Sequence, residues 1–322
     1  LENICDLSVR ALEQIIDYQN YPVKAAEVST KKRRSLGIGY IGLAHYLAKN
    51  GVKYSDPEAW SLVDRLSEAF QYYLLRSSCD LAEERGKCEG FHRTKYADGQ
   101  LPIDHYKKDI DKIVPHKQRM AWESLRKDIA KHGLRHSTLS AQMPSESSSV
   151  VSNETNGIEP PRALLSIKKS KKGPLKQIVP EFQKLKNDYT LLWEMPSNEG
   201  YINVVAMMQK YFDQAISGNW SYNPLQYENN EVPLSAMAQD MLTAYKMGWK
   251  TSYYQNTYDF KGEEDDVQPA GLSAVVQEEE GEDVELANSD TPVVNGHGRV
   301  NGQTNISTVA ADEDGECEAC TI

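Results

Sequence analysis

The turn after Met143 combines residue types that suit the binding of an anion. An apolar run ends at Met143, and a proline, a row of serines and a predicted helix follow. In order, the turn holds Pro144, Ser145, Glu146, Ser147, Ser148 and Ser149. Free backbone N–H groups at a helix start, together with small hydroxyl groups, favour a phosphate. From spacing alone, an ordinary N-cap with spare serines is the simpler interpretation, and it stays open.

Two adjacent tyrosines, Tyr253 and Tyr254, could take part in redox chemistry. A phenol can give up an electron and a proton together, so tyrosine suits radical transfer. Neighbouring residues of a regular strand, however, point to opposite faces. On the sequence alone, we therefore expect one of the two rings in the core and the other at the surface.

A second redox candidate is the pair Cys317 and Cys320, which are spaced C-x-x-C in an acidic segment. Core packing is a poor explanation for cysteines in such surroundings. A zinc site would need two more ligands, and that part of the chain offers only His297. A dithiol in this position suits thiol–disulfide exchange with an external reductant.

The glycines Gly37, Gly39 and Gly42 match the G-x-G-x-x-G pattern of dinucleotide-binding loops. The preceding residues, 31–34, are a basic run rather than a strand, and the acidic residue expected about 20 positions later is not evident. We therefore predict that these glycines serve packing. The basic runs at 31–34 and 168–172 are predicted to be solvated loops.

The elements that must position these residues alternate between helices and short strands. An amphipathic helix is predicted over residues 1–16, and a second from Pro57, after its N-cap Asp56, toward Gly86. The remaining predicted elements are helices at 201–217 and 233–247, ended by Gly218 and Gly248, and buried strands at 37–44 and 163–167. This pattern predicts an α/β domain over residues 1–260.

Composition divides the chain at about residue 260. Residues 261–322 contain 16 acidic and 2 basic residues, whereas residues 1–260 contain 31 acidic and 34 basic residues. With few aromatic residues and no apolar periodicity, residues 261–322 are predicted to form a flexible acidic tether, because they cannot bury enough surface to offset the entropy of ordering. Nothing in this charge pattern indicates nucleic-acid binding.

The cysteines and the apolar runs bear on the compartment. Cys5, Cys79 and Cys88 form no disulfide framework, and we predict that they are structural thiols in a reducing compartment. No apolar run reaches the length of a transmembrane helix, and no signal peptide is visible. We therefore expect a cytoplasmic protein that does not bind a membrane.

Several separated motifs follow one another along the chain. They are Trp122, Leu125, Gly133–His136, Ser140–Ala141, Pro144, Asn156–Pro161, Leu191–Pro196, Tyr253–Thr257 and the pair Cys317 and Cys320. In this order they resemble the large (α) subunit of class I ribonucleotide reductases. The resemblance covers roughly residues 1–260 and the last few residues.

The resemblance implies a fold and an activity. The fold would be the C-terminal part of a ten-stranded α/β barrel with outer helices, over residues 1–260, followed by the tether at 261–322. The activity would be reduction of ribonucleoside diphosphates to 2′-deoxyribonucleoside diphosphates by a radical mechanism. The implied site residues are Pro144, Ser145, Glu146, Ser147 and Ser148 around the substrate diphosphate, and Cys317 and Cys320 in reducing the active-site disulfide. The resemblance also implies that Tyr253 and Tyr254 stack on each other, with Tyr254 taking a radical from the partner subunit and Tyr253 passing it inward.

The resemblance also implies partners. A separate, metal-containing small (β) subunit would supply the radical, a second α subunit would complete a homodimer, and thioredoxin or glutaredoxin would reduce the cysteine pair. We expect this chain to bind no cofactor of its own. In the family, the Asn-x-Cys-x-Glu catalytic loop, both reducing cysteines and the ATP/dNTP effector sites lie upstream of the position of Leu1.

Two interpretations of function follow. In the first, the chain is the C-terminal portion of the reductase α subunit and is inactive without its upstream half. In the second, it is an inactive reductase fragment that acts only as a binding module. The presence of three separated functional motifs favours the first, because they would be unlikely to survive together in a decayed copy.

Overall fold

The computed structural model describes residues 1–170 and 173–258, which mix helices and strands in agreement with the predicted α/β class. The helices are α1 (Glu2–Tyr18), α2 (Lys24–Arg33), α3 (Leu43–Lys49), α4 (Pro57–Arg85), α5 (Pro102–His105), α6 (Trp122–His132), α7 (Glu146–Val151), α8 (Phe182–Leu185), α9 (Glu199–Gln209) and α10 (Leu234–Met247), and the strands are β1 (Leu165–Ser170), β2 (Gly173–Ile178), β3 (Gly218–Tyr222) and β4 (Ser252–Thr257). The predicted tether and Cys317 and Cys320 lie outside the described residues.

Four segments of the chain lie side by side and run parallel. Ile38 forms a parallel bridge with Ser140, and Gln142 forms the next one with Ile216. Strands β3 and β4 continue the arrangement as a parallel pair. We call these four segments the parallel wall, and they comprise residues 36–40, 138–142, 216–222 and 252–257. Because neighbours in the wall follow one another in the sequence, each connection must cross back over it, and helices fill most of those crossings.

Several predicted elements have different bounds. The strand predicted at 37–44 is wrong beyond its first residues, because Gly42 has a φ of 77° and α3 begins at Leu43. The helix predicted at 201–217 ends instead at Gln209, and Gly218 opens β3. The side chain of Gln209 accounts for the early end, because its Oε1 accepts from Ile216 N at 3.0 Å and its Nε2 donates to Gln214 O at 2.9 Å. These bonds hold the chain in the turn that leads back to the wall.

Helix α4 is the central packing element and has the predicted limits, with Asp56 before Pro57 and Gly86 after Arg85. Helices α1, α6 and α9 pack against it. Its buried apolar side chains are Val63, Phe70, Leu74, Leu75 and Leu81. Each fully buried side chain of this size stabilises the fold by about 1.5–3 kcal/mol. Within the described part of the chain, no helix combines the length and the apolar character that crossing a membrane requires.

Helix α4 also carries buried carboxylates that hold the ends of other segments. Asp64, which is fully buried, accepts from Lys210 Nζ at 3.2 Å and from Tyr211 Oη at 2.9 Å. Glu68 accepts from Arg119 Nη1 at 2.9 Å and from Trp122 Nε1 at 3.0 Å. The end of α9 and the start of α6 are therefore fixed to α4 by charge-assisted hydrogen bonds as well as by apolar contact.

Another buried carboxylate, Glu13 of α1, shows that the prediction for the basic run at 31–34 is wrong. Lys31 to Arg33 are helical, and Arg34 is 5% exposed rather than solvated. Its Nε donates to Glu13 Oε2 at 2.8 Å. Arg135 Nε donates to Glu13 Oε1 at 2.7 Å, and His136 Nε2 lies 3.0 Å from Glu13 Oε2. Glu13 thus joins α1 to the residues that enter two segments of the wall.

We expect Glu13→Gln to lower the free energy of unfolding at pH 7 by about 3–5 kcal/mol, because buried cations lose their charged partner. Burial raises the pKa of Glu13, but hydrogen bonds from His136, Arg34 and Arg135 outweigh it and lower that pKa from 4.5 to about 2. The stabilisation from this carboxylate is therefore fully present above pH 4.5 and is lost as the pH falls toward 2. Urea unfolding at pH 7, 5 and 3 measures both effects.

Glu2→Gln is the matched control, because Glu2 lies on the same helix and is exposed. This variant should unfold at nearly the urea concentration of the unmodified chain at every pH. Equal losses of stability in the two variants would contradict the role assigned to Glu13.

Candidate active site

The segment 138–142 of the parallel wall leads directly into the serine-rich turn, and Asp213 fixes its position. The carboxylate of Asp213 accepts the N–H groups of Leu139 at 2.7 Å and of Ser140 at 3.3 Å. Asp213 N donates to Ser140 Oγ at 2.8 Å, and the Tyr96 hydroxyl donates to Asp213 Oδ1. Burial raises the pKa of Asp213, and the bonds from Tyr96 and the backbone act in the opposite direction. Asp213 could not be identified from the sequence, since a lone Asp after a helix carries no distinctive pattern.

Gly39 lets segment 36–40 of the wall lie close to segment 138–142, in agreement with the prediction that the glycines serve packing. A Cβ atom on Gly39 would overlap the carbonyl oxygen of Ala141 and lie 2.8 Å from Gln142 Oε1. That Oε1 accepts Tyr40 N at 3.1 Å, so the space is already used by a hydrogen bond. Gly37 is different, because its nearest contact would be an ordinary one, at 3.4 Å from Ala141 Cβ.

The turn itself is held by Ser145 and Asn156. Ser145 N donates to Asn156 Oδ1 at 2.8 Å, and Ser145 Oγ donates to Met143 O at 3.1 Å. Ser145 is the N-cap residue of α7, but its side chain makes no capping hydrogen bond. Asn156 belongs to the motif at 156–161, whose sequence alone indicates no role for it. Ser145 would contact an anion only after giving up one of these bonds.

The first turn of α7 presents backbone donors. The first intrahelical bond is from Ser149 N to Ser145 O at 2.9 Å. The N–H groups of Glu146, Ser147 and Ser148 precede it and so have no acceptor within the helix. The side chains of Ser147 and Ser148 are exposed. This end of α7 therefore offers three N–H groups and two hydroxyl groups to solvent or to a bound anion.

His45 and Glu154 connect the segment after α7 to α3. Both carboxylate oxygens of Glu154 lie 3.1 Å from His45 Nδ1, and Glu154 N donates to Ser149 O at 2.8 Å. His45 Nε2 lies 3.2 Å from Glu181 Oε1. The segment after α7 is therefore tied to α3, which limits how far the turn can open. Sequence reasoning missed these residues because they are far apart in the chain.

Tyr253 and Tyr254 lie on β4, and an irregularity of the strand changes the expected alternation. Gly218 pairs with Ser252 and Trp220 pairs with Gln255, so two steps on β3 match three steps on β4. The extra residue on β4 is a β-bulge, which locally breaks the alternation of side chains. The expectation of one buried and one exposed ring is wrong, because the two side chains are 50% and 59% exposed.

The two tyrosine rings contact each other. Their centroids are 4.0 Å apart, with an angle of 48° between the ring planes. The Tyr253 hydroxyl donates to the Tyr254 hydroxyl at 3.1 Å, and this bond raises the pKa of Tyr253. Tyr254 N donates to Asn219 Oδ1 at 3.1 Å, which anchors the bulge to β3. A proton could move between the two phenols without an intervening group.

The turn follows the second segment of the parallel wall, and the tyrosine pair lies on the fourth. Gln142 is level with Ile216, and Gly218, two residues further along, is level with Ser252. Tyr253 is therefore three residues beyond the level of Gln142, or about 10 Å along the strands. After Gln142 the chain leaves the wall, and Ser145 lies in the turn before α7. Both sets of predicted site residues within the described part of the chain are therefore attached to the parallel wall, the turn after its second segment and the tyrosines on its fourth.

Comparison with known proteins identifies relatives over most of the chain. The family model described as ribonucleotide reductase, barrel domain, matches residues 1–255. The chain is 58% identical over 252 residues to the ribonucleoside-diphosphate reductase subunit alpha of Haemophilus influenzae, covering 78% of this chain and 33% of that protein. Identity is 56% over 259 residues to the protein of the same name from Buchnera aphidicola subsp. Schizaphis graminum, covering 80% and 34%.

A third relative is ribonucleoside-diphosphate reductase 1 subunit alpha of Escherichia coli. It is 53% identical over 256 residues, which cover 79% of this chain and 34% of that protein. The chain therefore spans about a third of the length of these curated relatives.

We expect Gly39→Ala to lower the free energy of unfolding by about 1–3 kcal/mol, because the added methyl group forces segment 138–142 away from its neighbour. Gly37→Ala, the control two residues earlier, should change it by less than about 0.5 kcal/mol. Urea unfolding measures both, and proteolysis at 143–149 reports whether the turn loosens. Equal effects of the two substitutions would show that the close approach at Gly39 is unimportant.

Proposed function

The chain belongs to the ribonucleotide reductase barrel-domain family, and on that premise we propose that it supplies substrate-binding and radical-transfer parts of a ribonucleoside-diphosphate reductase α subunit. The observation that carries the proposal is that the serine-rich turn and the tyrosine pair are both attached to segments of the parallel wall. An anion site and a redox-active pair are the two elements that radical reduction of a nucleoside diphosphate needs from this region. A non-catalytic binding module has no use for the paired phenols and is not favoured.

The parallel wall would form part of a ten-stranded α/β barrel. Its four segments are adjacent in sequence and parallel, and helices connect most of them, as a barrel of repeated strand–helix units requires. The remaining strands would come from the part of the relatives that this chain does not span. The turn after residue 142 would then lie at the carboxyl end of its strand, where α/β proteins usually place their ligand sites.

The substrate diphosphate would bind at the serine-rich turn, Pro144 to Ser148. The N–H groups of Glu146, Ser147 and Ser148 point out of the first turn of α7, and the dipole of the helix favours a negative charge there. Hydroxyl groups of Ser147 and Ser148 would supply further donors. Ser145 and Asn156 would hold the turn in shape, so the donors are in place before the substrate arrives.

Tyr254 would receive a radical from the partner subunit, and Tyr253 would pass it inward. Each transfer moves one electron and one proton, and the hydrogen bond between the two hydroxyl groups gives the proton a direct route. The contact between the rings gives the electron a short path. Exposure of both rings supports docking of two further surfaces, one on each side of the pair.

The other components of the reaction would come from outside the described residues. The small β subunit with its metal would generate the radical, and the upstream half of the α subunit would contribute the catalytic and reducing cysteines and the effector sites for ATP and dNTPs. The α subunit would act as a homodimer. Cys317 and Cys320 would reduce the active-site disulfide and in turn be reduced by thioredoxin or glutaredoxin. Three buried, unpaired cysteines, Cys5, Cys79 and Cys88, support a reducing, cytoplasmic setting.

We expect Tyr253→Phe and Tyr254→Phe each to lower the turnover of a complete α subunit with its β partner by at least about a hundredfold, or about 2.7 kcal/mol. Phenylalanine has no hydroxyl proton to lose, so the transfer stops at that position. Substrate binding should stay unchanged within about twofold, because neither hydroxyl belongs to the serine-rich turn. Deoxyribonucleoside diphosphate formation and equilibrium dialysis with the substrate measure the two quantities.

Tyr18→Phe is the control, since Tyr18 is 91% exposed on α1 and has no bonded partner within the described residues. It should retain full turnover. The proposal fails if either substitution in the pair leaves turnover intact.

A further inference from the structure

A cavity of about 480 Å³ lies between α2 and the turn at residues 89–93. It falls within the range of small-molecule sites. None of its lining residues belongs to the serine-rich turn or the tyrosine pair. The lining residues are Lys24, Ala25, Val28, Ser29, Lys32, Arg33, Gly90 and Arg93.

The lining contains four cationic side chains and no carboxylate. Two of the cations have partners at the edge of the cavity. Lys24 Nζ lies 2.8 Å from Glu27 Oε2, and Lys32 Nζ lies 2.7 Å from Glu89 Oε1. These pairs are exposed and so contribute little to stability, and their lysines can turn toward a stronger anion at low cost.

The other two cations, Arg33 and Arg93, have no carboxylate partner among residues 1–170 and 173–258. The two arginines of the basic run at 31–34 therefore have different surroundings. Arg34 is buried and bound to Glu13 and Asp17, whereas the guanidinium of Arg33 is left facing a cavity that a second arginine shares. Guanidinium groups form paired hydrogen bonds with phosphate oxygens, so two of them in one cavity suit a phosphate ligand.

The backbone around the cavity is fixed on both sides. Ser137 N donates to Arg33 O at 3.0 Å. Gly90 lies against the end of α2, where a Cβ atom would be 3.2 Å from Lys32 O and 3.4 Å from Arg33 Cγ. The absence of a side chain at Gly90 thus lets the turn that carries Arg93 approach the residues that carry Lys32 and Arg33.

We propose that this cavity binds an oligophosphate group through Arg33 and Arg93, with Lys24, Lys32 and Ser29 as further donors. Ala25 and Val28 form an apolar surface beside the phosphate position, against which the remainder of a ligand can pack. The ligand is either a free oligophosphate or a nucleoside that carries one. The site is separate from the serine-rich turn and does not depend on the proposed reductase activity.

The test is a calorimetric titration of the 322-residue chain with inorganic pyrophosphate and, separately, with ATP. Arg33→Ala/Arg93→Ala should weaken binding at this site by at least about tenfold. Arg33→Lys/Arg93→Lys keeps both charges but loses the planar guanidinium groups. Its affinity should therefore lie between those of the unmodified chain and the double alanine variant. Lys127→Ala/Lys131→Ala removes two positive charges that do not line the cavity and should bind as the unmodified chain does. Circular dichroism checks that every variant is folded.

A Ser147→Ala/Ser148→Ala variant separates this site from the proposed substrate turn. If both proposals hold, the unmodified chain binds two pyrophosphate molecules, and each double variant loses a different one. Loss of binding in the serine variant alone would overturn the arginine site and leave the substrate turn in place. Loss of binding in the arginine variant alone would support the arginine site and overturn the proposed substrate turn.

The two ligands distinguish the two sources of the phosphate group. Equal affinities mean that the phosphates alone are bound, and tighter binding of ATP means that the nucleoside packs against Ala25 and Val28; both results support the proposal. Binding of a polyglutamate peptide in place of both ligands would overturn it. Identical titrations of the unmodified chain and the Arg33→Ala/Arg93→Ala variant would overturn it as well.

Discussion

The carboxylate of Asp213 holds together the part of the molecule that carries the proposed site. By accepting the N–H groups of Leu139 and Ser140, it fixes the second segment of the parallel wall just before that segment becomes the serine-rich turn. Asp213 also stands at the entrance to the third segment, which continues into β3 and pairs with the tyrosine strand. One side chain therefore sets the relative position of the turn and the strand that carries Tyr253 and Tyr254.

Buried carboxylates outside this region also fix one element of the fold to another. Asp64 and Glu68 fix the ends of neighbouring helices to α4, and Glu13 fixes α1 to Arg34 and Arg135. A buried carboxylate is tolerated only with partners that offset its loss of hydration. Each cluster thus specifies one arrangement of the elements that it joins. Arg33, next to Arg34, takes no part in such a cluster, which is why it remains available for a ligand.

Much of this could be predicted from the sequence, because the signals were local. The limits of α4 follow from Asp56, Pro57 and Gly86, and the start of α7 follows from Pro144 and the serines after it. The contact between the two tyrosine rings could not be predicted from spacing. It depends on a bulge that is defined only by pairing with β3, and alternation along a regular strand predicts the opposite. Asp213 and His45 were missed for a similar reason, since their partners lie far away in the sequence.

The most direct measurement is the formation of deoxyribonucleoside diphosphate by a mixture of this chain, the upstream part of an α subunit and a β subunit. Each component is also tested alone and in pairs, with a chemical dithiol as the reductant. We expect product only when all three polypeptides are present, because the proposed function assigns the substrate-binding turn and the tyrosine pair to this chain and the catalytic cysteines to the upstream part. Product formed without this chain, or no product from three folded and associated components, would contradict its proposed role as the substrate-binding and radical-transfer part of the enzyme.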